Sequence, residues 1–196
     1  MDNFLKFYWL EQKYLKEVRA SFQKNGYLTT EQFFAVVKWK RAGNAELIKR
    51  IFLKDKLNQV NENNWLEKKV RNITNDVKRA TENQARLEVL IKQPGIKLAM
   101  ASAILTILYP NNFTVYDWRV RGQLKEHRNN KGKEYPDITY SSNVIQRYFD
   151  EYIPQVTELG RKIAQNNKLS LRNCDRLLWA KSWYEDLQKF IGTKKT

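Results

Sequence analysis

Apolar residues recur at intervals of three and four along almost the whole chain, and two-residue alternation is nearly absent. A chain patterned this way can bury its hydrophobic surface only as amphipathic helices. Phe4, Phe7, Tyr8, Tyr14, Leu15, Val18 and Phe22 form a first stripe that ends at Asn25-Gly26, a helix stop. Thr29 or Thr30 is placed to cap the next helix, with Phe33, Phe34, Val36, Val37 and Trp39 on it. Gly43-Asn44 is expected to close that helix and open another carrying Leu47, Ile48, Ile51, Phe52 and Leu57. Trp65, Leu66, Val70, Ile73 and Val77 mark a long amphipathic helix, and Leu87, Leu90 and Ile91 a shorter one ending at Pro94-Gly95. Residues 98–108 are nearly apolar all round, which predicts a central buried helix.

The second half continues in the same way. Tyr109-Pro110-Asn111-Asn112 breaks the apolar helix, Phe113 to Tyr116 reads as an extended connection, and Asp117 opens a helix through about Glu126. A polar loop from Arg128 to Asp137, with Asn129, Asn130, Gly132 and Pro136, is the expected mobile segment. Helices are predicted from about Ser142 to Tyr152 and from Pro154 to Gln165. Ser170 caps a last one, with Leu177, Leu178, Trp179, Trp183, Leu187, Phe190 and Ile191 as core, before a frayed Lys194-Lys195 tail. There is no internal repeat or low-complexity linker, and 196 residues suffice for one domain or two small lobes sharing a core. The expectation is all-α: residues 1–196 as a single domain, an orthogonal bundle of about eight or nine helices in two lobes.

Charge narrows the function. Thirty-six Lys and Arg against 21 Asp and Glu give a formal charge of +15. Such an excess points to a polyanionic partner, because each neutralised phosphate releases condensed counterions. Two zones are denser: Lys38 to Lys56 holds seven bases and two acids, and Arg119 to Lys133 holds six bases and one acid. The bases are not gathered on one Lys-rich amphipathic helix, so nucleic acid is favoured over a membrane surface. No apolar run approaches the ~18 residues of a membrane span. The N-terminus shows neither a basic n-region nor a small-residue cleavage site, so a cytoplasmic protein is expected, nucleoid-associated if bacterial. A single cysteine, Cys174, excludes an internal disulfide and a four-cysteine zinc or iron–sulfur site. A single histidine, His127, argues against His-rich metal sites and Ser-His-Asp triads, so no metal and no cofactor are expected. His127 reads as an incidental surface residue and Cys174 as a structural thiol.

The informative stretch runs from Gln93-Pro-Gly-Ile-Lys-Leu-Ala-Met-Ala-Ser-Ala-Ile-Leu to Val115-Tyr-Asp-Trp-Arg-Val. A tight Pro-Gly-Ile-Lys turn between two helices leaves the first N–H groups of the second helix pointing outward, where they can hold a phosphate with help from the helix dipole. Gly95 permits a left-handed turn, and Ala99, Ala101 and Ser102 allow close helix packing. The plain alternative is an ordinary connection in a helical bundle, with Asp117 a favoured helix N-cap.

Pro94 to Asp117 resembles, without a gap, the hairpin-to-aspartate segment of the helix–hairpin–helix DNA glycosylase superfamily, the fold of endonuclease III and of the alkyladenine and 8-oxoguanine glycosylases. About 30 residues are closely covered, with the helix–hairpin–helix at about 83–108. The resemblance implies duplex DNA as partner, gripped along its backbone, with one base flipped out. It places Asp117 at the catalytic position, stabilising positive charge on the deoxyribose and orienting the attacking water. DNA-binding residues implied by it are Gly95, Ile96, Lys97 and Ala99, with Arg119, Arg121, Lys40 and Arg41 as further phosphate contacts. Trp118, Tyr116 and Trp39 are candidates for the base pocket. Trp39-Lys40-Arg41 also looks like a stretch found in relatives of this hairpin. Two positions depart from the pattern. Lys97 replaces the second hairpin glycine, and Ala99 stands where bifunctional members carry a nucleophilic lysine, so the implied enzyme is monofunctional and uses water. A rival expectation is a non-catalytic helix–hairpin–helix DNA-binding protein in which Asp117 is only a cap. An unrelated basic bundle that binds RNA or a protein comes third.

Overall fold

The structure, a computed structural model, describes residues 11–54, 62–129, 138 and 141–192. Every regular element among them is helical, and the described residues fall into two compact units that meet in sequence between Asn112 and Phe113. No helix among the described residues is long and apolar enough to cross a membrane. The expectations for Phe4, Phe7, Tyr8, Leu57, the loop tip 130–137 and Lys194-Lys195 lie outside the described residues.

In the N-terminal unit a π-helical turn, Glu11–Leu15, runs into helix α1 (Lys16–Asn25). The chain then forms α2 (Thr30–Leu53), α3 (Glu62–Arg79), α4 (Asn83–Ile91) and α5 (Leu98–Leu108). Helix α1 stops where the Gly26 N–H bonds back to the Phe22 carbonyl at 2.9 Å. Thr29 is the cap of α2: its hydroxyl accepts the Gln32 N–H at 3.2 Å, and the Gln32 side chain accepts the Thr29 N–H at 3.1 Å. Helix α5 contacts α1, α2 and α4, and all its residues except Ala99 are buried. Its polar members bond within the helix, Thr106 to the Ser102 carbonyl at 2.7 Å and Ser102 to the Ala99 carbonyl at 3.3 Å.

One expected boundary moves. The break inside α2 falls at Arg41, whose backbone is extended (φ −163°, ψ 100°), and Gly43-Asn44 continues as helix. Gly43 takes no left-handed conformation, so nothing in its backbone ends the helix. Leu47, expected in the apolar stripe, is exposed, while Ala45, Ile48 and Phe52 are buried.

The C-terminal unit begins with the extended segment Phe113–Asp117 and continues through α6 (Trp118–Asn129), α7 (Val144–Arg147), a π-helical turn Tyr148–Tyr152, α8 (Ile153–Ala164) and α9 (Leu171–Phe190). Where two helices were expected on either side of Pro154, the chain runs helically from Val144 to Ala164. Pro154 falls at the start of α8, directly after the π-helical turn Tyr148–Tyr152. Ser170 caps α9 by accepting the Asn173 N–H at 3.3 Å. Helices α8 and α9 approach so closely that a Cβ on Gly160 would lie 2.4 Å from the Cys174 Cβ. Lys181 on α9 bonds Gln123 of α6 at 2.6 Å, and Gln123 donates to Glu185 at 2.7 Å. Phe190 and Ile191, expected as core, are exposed at the end of α9.

Candidate functional site

The turn between α4 and α5 is built from local backbone bonds. The Lys92 N–H bonds the Glu88 carbonyl, the Gln93 N–H the Leu90 carbonyl, and the Ile96 N–H the Gln93 carbonyl, at 3.0, 3.0 and 3.1 Å. Gly95 has φ +80°, so the handedness of the turn favours glycine, and a Cβ there would meet the tip of the Ile51 side chain, Cδ1, at 2.9 Å. Lys97 then takes the N-cap position of α5 in an extended conformation (φ −100°, ψ 172°) without a side-chain capping bond. Its carbonyl accepts the Met100 and Ala101 N–H groups, both at 2.9 Å. No acidic residue occupies the first turn of α5. The positive end of this helix is therefore uncapped by its own side chains, with the exposed Lys97 beside it.

Ile96 departs from its expected role. Its side chain is buried and its N–H is consumed inside the turn, so it is a core anchor with no donor left for a ligand. Ala99 is half-buried in the first turn of α5. Trp39 and Lys40 are half-buried in the same unit, and Arg41 is exposed at the break in α2.

Asp117 belongs to the other unit and ends a segment whose five residues are all buried. Buried backbone outside a helix must find hydrogen-bond partners elsewhere, and here two tyrosines of the π-helical turn bond four of the segment's backbone groups. The Tyr148 hydroxyl donates to the Thr114 carbonyl and accepts the Thr114 N–H at 3.0 Å. The Tyr152 hydroxyl donates to the Val115 carbonyl at 2.7 Å and accepts the Asp117 N–H at 3.4 Å. Asp175, ion-paired with Arg172 in the interior, accepts the Val115 N–H at 3.4 Å. Burial pushes both phenols above their ordinary range, which keeps them neutral and able to donate and accept at once. These four residues carry no local sequence signal for this role; Tyr148 and Tyr152 lie 34 to 37 positions from the groups they hold.

At the end of the segment Asp117 is 8% exposed. Its carboxylate accepts the Arg119 N–H at 2.9 Å and its carbonyl the Arg121 N–H at 2.9 Å, which makes it the N-cap of α6. Trp118, the next residue, is 65% exposed. Tyr116 does not present an open wall for a base: its ring packs edge-on to Tyr152 at 4.8 Å and its hydroxyl accepts the Ile138 N–H at 3.2 Å. Arg121 lies over the Tyr116 ring at 5.1 Å. Arg119, expected to hold phosphate, is ion-paired with Asp186, and its guanidinium carbon lies 4.4 Å from the Trp118 ring centre. His127 is half-buried on α6. Cys174 is buried at the α8–α9 contact, where desolvation raises its thiol pKa. No family model, curated protein or solved structure matches the chain.

Proposed function

We propose that the chain binds duplex DNA through the turn between α4 and α5 and acts as a monofunctional DNA glycosylase, with Asp117 as its catalytic carboxylate. The observation that carries the DNA half is the turn itself. Gly95 brings the backbone to the surface, the start of α5 lacks a side-chain cap, and Lys97 adds an ammonium at the same point. Such a helix start suits a phosphate. The catalytic half is supported by how Asp117 is held, on a segment whose backbone is pinned by Tyr148, Tyr152 and Asp175. In the proposed reaction water adds to C1′ of the deoxyribose as the C1′–N bond breaks. The base leaves with the bonding electrons and takes up a proton. Asp117 stabilises the sugar cation and receives a proton from the water. Ala99 offers no amine for a Schiff base, so hydrolysis is the expected route.

A second reading, a DNA clamp without catalysis, is favoured by the capping bond from Arg119 N–H to Asp117. Asp117→Asn separates the two. Asn also caps helices, so the fold survives. For an enzyme, base release across a panel of modified duplexes falls by about 10²–10³ while DNA binding persists. For a clamp, no base is released by either protein and binding is unchanged. The strand should remain intact beside the abasic site until alkali cleaves it. A borohydride-trapped protein–DNA adduct would overturn the monofunctional assignment and point to Lys97.

A further inference from the structure

Arg119 lies near two indoles, its guanidinium carbon 4.4 Å from the Trp118 ring centre and 5.7 Å from that of Trp179. Its charge is met by Asp186 on α9. The side chain of Arg119 is largely covered, that of Asp186 is 46% exposed, and Trp118 stands mostly in solvent. A lone exposed aromatic needs no explanation. One with a guanidinium beside it presents together the two groups that nucleic-acid sites use, a π-face for a base and a fixed cation for a phosphate.

We infer that Trp118 and Arg119 form a binding site for one unpaired nucleotide, and that the Asp186 carboxylate takes the place of its phosphate in the unbound protein. This deepens the DNA-binding reading above and rests on it. Carboxylate and phosphate engage a guanidinium through the same planar fork of N–H groups, so one can replace the other. An ion pair whose acid is this exposed is weak in water, whereas a phosphodiester also releases counterions on binding. Asp186 sets a threshold. A paired nucleotide has both base faces covered by its neighbours and can offer only its phosphate, against a carboxylate already in position. An unpaired one offers its base to Trp118 as well, and the two contacts together displace the acid. The site begins one residue after Asp117, within the same unit.

The test compares a short labelled duplex carrying one bulged thymidine with the same duplex fully paired, by anisotropy over a range of salt. The wild-type protein should prefer the bulged duplex. Trp118→Ala should remove that preference, with a loss of roughly 5- to 150-fold on the bulged duplex and little change on the paired one. Asp186→Asn should tighten paired-duplex binding several-fold and steepen the salt dependence by about one phosphate contact. In an Arg119→Gln background the Asp186 substitution should do neither. A bulge preference that survives Trp118→Ala, or an Asp186→Asn gain that persists without Arg119, overturns the inference. Equal wild-type affinity for the two duplexes overturns it too and leaves the DNA-binding reading standing, whereas binding to neither duplex at low salt overturns both.

Discussion

Lys97 stands at a position where helices favour Ser, Thr, Asp or Asn, and its side chain makes no capping bond. Reversing its charge therefore has two effects of opposite sign. Lys97→Glu places an anion at the positive end of α5, which should leave stability unchanged or raise it by about 0.3–1 kcal/mol. On the proposed DNA contact the same change removes a phosphate partner, and losing one contact costs roughly tenfold in DNA affinity near 0.1 M salt. Urea melts and duplex anisotropy on one preparation check both signs; a variant that binds as tightly as wild type means the turn is not the DNA contact. Gly95→Val is the contrasting control. At φ +80° a β-branched residue strains the turn, and the tip of the Ile51 side chain, 2.9 Å from the new Cβ, must shift, so fold and binding should fall together.

At the level of elements, the extended segment 113–117 depends on two buried phenols, and this gives the C-terminal unit a specific response to alkali. Burial favours the neutral form of Tyr148 and Tyr152, so their folded-state pKa values lie above the ordinary 10.0. That contribution is intact below pH 10 and is lost as pH climbs through the folded values, because only the unfolded chain ionises readily. Tyr148→Phe should cost about 1–3 kcal/mol at neutral pH, since the Thr114 N–H and carbonyl lose their partner, and should flatten the fall in stability above pH 10. Thermal melts of the two proteins from pH 8 upward measure both effects; parallel pH curves would show that Tyr148 does not contribute. Little of this arrangement was legible in the sequence, though the helices were. Stripes such as Leu66-Val70-Ile73-Val77, and caps such as Thr29 and Ser170, act within a few residues, so period and composition reveal them. The turn at Pro94-Gly95 and the extended stretch before Asp117 were legible for the same reason. Tyr148, Tyr152, Arg172 and Asp175 were not, because they act on a segment 34 to 60 positions away. The break at Arg41 leaves no local mark in the sequence, where neighbouring Gly43 carries the stronger signal. Ile96 and Tyr116 sit in the right segments, but only packing reveals that both face the core.

Across the whole molecule, exposed basic residues occur in both units. Exposed Lys38, Arg41, Lys49, Arg50 and Lys97 belong to one, and exposed Lys125, Lys162, Lys168 and Lys189 to the other. A charge of +15 spread in this way raises the rate and strength of encounter with any polyanion but carries no sequence information. The expected outcome is duplex binding that weakens steeply with salt and differs little between sequences. For a protein that neutralises about 6–10 phosphates, affinity should drop by roughly 10³–10⁵ between about 50 and 200 mM salt, linearly on a double-logarithmic plot. The slope counts contacts, which links the whole molecule back to its turn. Lys97→Glu should make the slope shallower by about one phosphate, whereas a charge reversal at exposed Lys168, in the loop before α9, should leave it nearly unchanged. Equal effects from both substitutions would mean that net charge alone drives binding, and a salt-independent association would remove nucleic acid as the partner.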